Sequence, residues 1–243
     1  MNLIVDAGNT LVKLAVFQND ILVEKDAFEK EIFSEKIYFF FEKYPKISFS
    51  ILSSVQKHPK SWEELLQSKT KFLQLLSSTP VFFKNRYSSK NTLGIDRIAL
   101  IANAAHQYKN KNVLVIDAGT CITYDFINSD NEYLGGVISP GLTMRARAMH
   151  EFTAKLPLVE VVEEEKSILG KTTQQCLKIG VVKATALEID GFISEYKNNF
   201  QDLTVILTGG DRQILSKNVK NSIFAPSNFL LEGLNQILEF NKS

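Results

Sequence analysis

Short apolar runs separated by turn-forming residues open the chain. Leu3-Ile4-Val5 and Leu11–Phe17 are followed by a third run, with breaks at Gly8-Asn9 and Asn19-Asp20. Runs of this length and punctuation predict a three-strand meander over residues 2–27. The apolar spacing then becomes helical around Glu31–Lys43, where Pro45 ends it, and a strand over Phe49–Ser53 and a helix after Pro59 follow. The second half repeats this order. Strands are expected near 112–117, 120–127 and 132–138, helices near 142–154 and 171–199, a strand at 203–208 and a last helix from about Ser227. Between the halves, Gly94–Tyr108 reads as one amphipathic helix with Ile95, Ile98, Ala99, Ala102 and Ala105 on its apolar stripe. The pattern predicts an α/β protein of two related halves, 1–110 and 111–243. Each half begins with an antiparallel hairpin, whereas a nicotinamide-binding fold needs a strand, a Gly-rich turn and a helix at its first step.

Several apolar stretches carry no chemistry. Tyr38, Phe39, Phe40 and Phe41 are expected in the core, and Leu177, Val181, Ala184, Leu187, Ile189 and Phe192 are expected on the inner face of the long helix. Glu163-Glu164-Glu165 is expected to be a solvated loop.

Composition narrows the classes further. The 243 residues are 44% hydrophobic and 23% charged, with a formal charge of +1. Such a balance gives no global field to recruit nucleic acid or an anionic membrane, and neither is expected as a partner. Cys121 and Cys176 form neither a disulfide framework nor a zinc spacing. Asp6 interrupts any signal-peptide core, and no run of eighteen apolar residues occurs, so the expected location is the cytoplasm.

Candidate chemistry lies at the bends. Asp6-Ala7-Gly8-Asn9-Thr10 recurs in altered form as Asp117-Ala118-Gly119-Thr120, each between two strand-like runs. A Gly-containing bend bares backbone N–H groups and a hydroxyl toward a phosphate, and its Asp can organise a hydrated divalent cation. Two such bends facing each other would clamp one nucleotide. The P-loop pattern is absent. Thr208-Gly209-Gly210, after the apolar strand Val205-Ile206-Leu207, opens onto Asp211, where backbone could approach an adenine or ribose.

Together these three elements resemble the phosphate-1, phosphate-2 and adenosine elements of the acetate kinase, sugar kinase, Hsp70 and actin superfamily. That likeness implies two ribonuclease H-like domains with a cleft between them. Six motifs in order, Asp6-x-Gly-Asn-Thr, Gly94-x-Asp-Arg, Asp117-x-Gly-Thr, Gly135-Gly-x-Ile-x-Pro-Gly, Gly170-Lys-Thr and Thr208-Gly-Gly, resemble the type III pantothenate kinases from Asp6 to Gly233. The resemblance implies phosphorylation of pantothenate by ATP with Mg²⁺, and Asp96 as the base for the primary hydroxyl. It also implies an ATP loop of Asp6, Ala7, Gly8, Asn9, Thr10, Leu11, Val12 and Lys13, joined by Thr120, Gly209 and Gly210. Tyr87, Gly94, Ile95, Asp96, Arg97 and Thr172 map onto the pantothenate pocket, and Asp117 onto a site for a monovalent cation, K⁺ or NH₄⁺. A homodimer completes the active site in this family.

Read without the resemblance, Gly94 and Asp96 start a helix with Arg97 as a surface partner, and Tyr87 packs in a Ser/Asn-rich loop. Cys121 stands where the family usually has Ala, a small apolar exchange that packing tolerates. His150, in the helix after Pro140-Gly141, is placed near a subunit boundary only by the resemblance. Two other functions share these motifs, a non-catalytic accessory transcriptional regulator and an actin-like ATPase without an alcohol acceptor. Retention of Asp6, Asp96 and Asp117 favours the kinase.

Overall fold

The computed structural model describes residues 1–161, 167–217, 219, 223–224 and 228–242. They form two compact units, Met1–Gln107 with Asn228–Ser243, and Tyr108–Ser227.

The first unit starts with the expected meander, β1 (Asn2–Ala7), β2 (Val12–Gln18) and β3 (Ile21–Phe28). Helix α1 (Phe33–Lys43), strand β4 (Phe49–Ser54), helix α2 (Lys60–Lys69) and strand β5 (Lys71–Gln74) follow. After a two-residue strand, β6 (Lys84–Asn85), comes helix α3 (Ile95–Gln107). The sheet runs β3-β2-β1-β4-β5, with β4 and β5 parallel to β1.

Every residue of β1 is buried, so both faces of the sheet are covered. Leu3, Val5 and Ala7 share a core with Phe33, Ile37 and Phe40 of α1 and with Trp62 and Leu66 of α2. Alternation along the strand turns Asn2, Ile4 and Asp6 to the other face. There the Asn2 amide donates to Asn235 Oδ1 and Glu239 Oε1, both at 2.7 Å, on the C-terminal helix α7 (Phe229–Phe240).

The second unit repeats the topology. Strands β7 (Asn112–Ala118), β8 (Cys121–Ile127) and β9 (Glu132–Pro140) form its meander, followed by α4 (Leu142–Glu151) and α5 (Thr173–Asn199). Then come β10 (Leu203–Thr208), α6 (Arg212–Ser216) and β11 (Ile223–Phe224). The order β9-β8-β7-β10-β11 matches the first sheet strand for strand, with β10 parallel to β7 as β4 is to β1. Leu114, Ile116 and Ala118 pack with Leu142, Leu177, Val181 and Ile189 on the helical side, and alternation sends Asp117 to the opposite face.

Three expectations need correction. The last helix, assigned from sequence to the 111–243 half, packs with α3, β1 and β4 of the first unit. Only part of the aromatic run is core: Phe40 is buried and Phe41 partly so, whereas Tyr38 and Phe39 are half exposed, with Lys69 and Lys43 ammonium groups over their rings at 6.0 and 5.7 Å. Four consecutive helical residues span more than a full turn and cannot all face one side. On α5, Ala184 is exposed and Leu187 is 63% exposed, while Val182, Thr185, Ala186 and Ile193 join the buried face. Residues 163–165 lie outside the described residues.

Candidate functional site

In the first unit, register decides what surrounds Asp6. It pairs with Lys13 on antiparallel β2 and with Ser53 on parallel β4, so the three side chains share one face. Asp6 is 5% exposed, and Lys13 Nζ approaches its Oδ2 at 3.8 Å. Burial pushes the Asp6 carboxyl up to about 6, opposed by Lys13 and reinforced by the nearby charge of Asp96. Ser53 Oγ, buried beside the carboxylate, lowers it in part but meets strict hydrogen-bonding geometry with no group among the described residues. A cation would find here an under-compensated carboxylate and an orphaned hydroxyl oxygen.

Beyond β1 the chain bends through Gly8–Leu11. The Gly8 N–H donates to Leu11 O at 3.1 Å, Asn9 is held by Lys30 and Gln56, and Thr10 is exposed with no hydrogen bond among the described residues. Of the expected phosphate-loop residues, Ala7 and Val12 are instead core, while Leu11 is exposed.

Asp96 lies in the first turn of α3, where its Oδ1 accepts the Arg97 N–H at 2.8 Å. A Cβ on Gly94 would come 2.4 Å from that oxygen, so the missing side chain is the space the carboxylate fills. The buried Arg97 guanidinium lies over the Tyr87 ring at 5.5 Å. Asp6, Asp96, Arg97 and Tyr87 thus belong to one unit, and neither a surface role for Arg97 nor an unsupported Tyr87 describes them.

In the second unit, Asp117 pairs with Thr123 on β8 and Thr208 on β10, and the buried Thr123 Oγ1 has no hydrogen-bond partner among the described residues. An acidic residue beside an orphaned hydroxyl repeats the arrangement at Asp6. The Gly119 N–H donates to Cys121 O at 3.0 Å, and Thr120 O accepts the Gly141 N–H at 3.1 Å, which ties the bend to the Pro140-Gly141 turn. The third motif docks on the same bend through Asp211 N–H to Ala118 O at 2.9 Å. Gly209 has φ +97°, and a Cβ there would lie 2.3 Å from Ala118 O, so only glycine fits. Burial raises the Asp211 carboxyl against a hydrogen bond from the Leu142 backbone.

Thr172 caps α5, its hydroxyl accepting the Gln175 N–H at 3.2 Å. His150 Nδ1 lies 2.7 Å from Leu156 O, a local contact. Sequence reasoning missed Ser53 and Thr123, whose roles come from cross-strand register, and the cluster beneath the Pro140 turn. There Glu188 accepts from Arg145 Nη2 at 2.6 Å and from Ser139 Oγ at 2.5 Å, and Arg145 Nε donates to Pro140 O at 2.8 Å.

Among the described residues no three His, Cys, Asp or Glu side chains could hold a metal ion together. Among the same residues no helix is long and apolar enough to cross a membrane.

Residues 2–195 match the family model described as type III pantothenate kinase. Proteins of that name from Christiangramia forsetii and Flavobacterium johnsoniae are 51% and 45% identical to the chain, over 100% of both chains in the first case and 99% and 98% in the second. Among solved structures, a Campylobacter jejuni protein described as a Baf family transcriptional activator superposes with a TM-score of 0.62 at 23% identity, covering 98% of each chain. A glucokinase from an Antarctic psychrotroph superposes with a TM-score of 0.55 at 12% identity over 99% of each. At those identities the likeness shows the fold alone.

Proposed function

The chain belongs to the type III pantothenate kinase family, and from that premise we propose how its residues divide the work. The reaction is ATP-dependent phosphorylation of pantothenate, the first step of coenzyme A synthesis, with a divalent metal accompanying ATP. Transfer of a γ-phosphoryl group to an alcohol requires a positioned hydroxyl, a proton acceptor and stabilisation of the phosphate charge.

Asp96 accepts the proton of the pantothenate primary hydroxyl. The observation that carries this is its place in the first turn of α3, where the missing Gly94 side chain leaves room for its carboxylate, in the same unit as the phosphate loop. Gly94 and Ile95 shape the start of α3, and Arg97, steadied by the Tyr87 ring, orients the substrate carboxylate. Thr172 offers a further hydroxyl to pantothenate. The segment from Asp6 to Lys13 takes the nucleotide phosphates through exposed groups of Asn9 and Thr10 and the Lys13 ammonium. Thr120, Gly209 and Gly210 contact the nucleotide. Mg²⁺, arriving with ATP, is held partly through water by Asp6, and spreads the charge of the phosphates.

Asp117 holds a monovalent cation, K⁺ or NH₄⁺, a reading supported by the buried Thr123 hydroxyl without a protein partner. The protein works as a cytoplasmic homodimer. Ile138, Phe152 and Leu187, respectively 60%, 86% and 63% exposed on the second unit, supply apolar surface for that contact.

A coupled assay of ADP release tests the reading. Release should require pantothenate and run faster in K⁺ than in Na⁺. Hydrolysis indifferent to pantothenate would instead identify an actin-like ATPase.

A further inference from the structure

We propose that the first unit carries a second ligand site, for a small phosphomonoester, on the face of its sheet opposite Asp6 and Asp96. A cavity of about 380 Å³ lies there. Its floor includes Ala7 and Ser54, paired across β1 and β4 one residue beyond Asp6 and Ser53. Because successive strand residues alternate faces, a ligand touching Ala7 and Ser54 sits on the α1 and α2 side, away from the reacting carboxylates. Asp96, Arg97, Tyr87 and Lys13 are not among its lining residues.

The lining is cationic. Lys30 and Lys57 have no carboxylate within ion-pair distance among the described residues, and Glu31 is the one acid on the wall. His58 turns Nε2 to Glu63 Oε1 at 2.8 Å, which leaves its other nitrogen, Nδ1, buried without a partner among the described residues. A phosphate supplies what these groups lack: negative charge for the ammonium groups and, in its oxygens and its own proton, a hydrogen-bond partner for the His58 Nδ1 in either role. The volume exceeds that of a bare phosphate. Pro59 and Trp62, the latter stacked on Phe33 at 3.8 Å, form a rigid apolar wall for an organic group.

Occupancy would be felt in the nucleotide loop. Lys30 Nζ donates to Asn9 O at 3.2 Å and to Gln56 Oε1 at 3.1 Å, while Gln56 Nε2 donates to Asn9 Oδ1 at 2.7 Å. A phosphate that draws Lys30 toward itself loosens Asn9 and changes KM for ATP.

The test is calorimetric titration of glycerol 3-phosphate into full-length protein saturated with a non-hydrolysable ATP analogue, so that the nucleotide loop is already filled. Binding should be observed, should weaken at least tenfold in Lys57→Gln and in His58→Gln, and should exceed the binding of inorganic phosphate. Turnover of Lys57→Gln without added phosphomonoester should match wild type, since exposed Lys57 supports no packing. Absence of binding to the analogue-saturated protein, unchanged affinity in both variants, or inorganic phosphate binding as tightly as the ester would overturn the proposal. The titration involves no turnover, so its failure is distinguishable from failure of the kinase assignment.

Discussion

The buried carboxylate of Asp6, at the end of β1, lies near enough to Asp96, in the first turn of α3, for the Asp96 charge to help raise it. A strand end and a helix start, ninety residues apart in sequence, thereby assemble an acidic pair within one unit. Replacing Asp96 by Asn keeps the shape and removes the proton acceptor. We expect kcat to fall by about 10²–10⁴ with ATP affinity nearly intact. Wild-type-like turnover in that variant would reject Asp96 as the base.

Asp6 also makes stability depend on pH. Its carboxyl moves from 3.8 in an ordinary setting to about 6 in the folded protein, chiefly through burial. Between those values the folded chain keeps a proton that the unfolded chain has released. The stabilisation is complete below about pH 4 and lost as pH rises through 6, by roughly 3 kcal/mol in all. Unfolding free energies of the nucleotide-free protein at pH 4.5 and pH 7 should differ by about 2 kcal/mol of this loss, and Asp6→Asn should abolish the difference while weakening Mg·ATP binding.

Gly209 meets Ala118 O where any Cβ would collide, at a φ open to glycine. Gly209→Ala must push the Thr208–Asp211 turn off the second bend, at a cost of about 1–3 kcal/mol. Steady-state kinetics should show a raised KM for ATP with KM for pantothenate nearly unchanged. An equal rise in both would detach this turn from nucleotide binding.

Glu188 holds the Pro140 turn in place from α5. Burial alone would raise its carboxyl, but hydrogen bonds from Ser139 and Arg145 outweigh burial and hold it below the usual carboxylate range. Glu188→Gln weakens the charge-assisted bond to Arg145 and should cost about 2 kcal/mol by urea denaturation. Arg145→Ala should cost a similar amount, and the double variant less than the sum, because both changes break one contact.

Local patterning revealed much of this architecture. The two meanders, the long α5 and the bends after Asp6 and Asp117 follow from runs of Leu, Ile and Val punctuated by Gly, Asn and Asp, and those signals are short-range. What stayed hidden depends on partners distant in sequence. Ser53 and Thr123 look ordinary until the ladder sets them beside Asp6 and Asp117. Strand β5, Lys71–Gln74, is too short and polar to announce itself. On α5, Ala184 and Leu187 share the spacing of the inner stripe yet face outward. Nothing in Phe229–Phe240 says that this helix returns to cover the first sheet, a destination fixed by Asn235 meeting Asn2 and accepting its amide at 2.7 Å.

That return has a consequence for synthesis of the chain. Asn2 finds its partners on α7, which follows the whole second unit in sequence, so the Asn2 end of the sheet bearing Asp6 is not sealed until α7 has been made and has docked. The intervening unit, closed within its own span, is free to mature earlier. A nascent polypeptide halted before α7 would carry a finished second lobe and an incomplete first one.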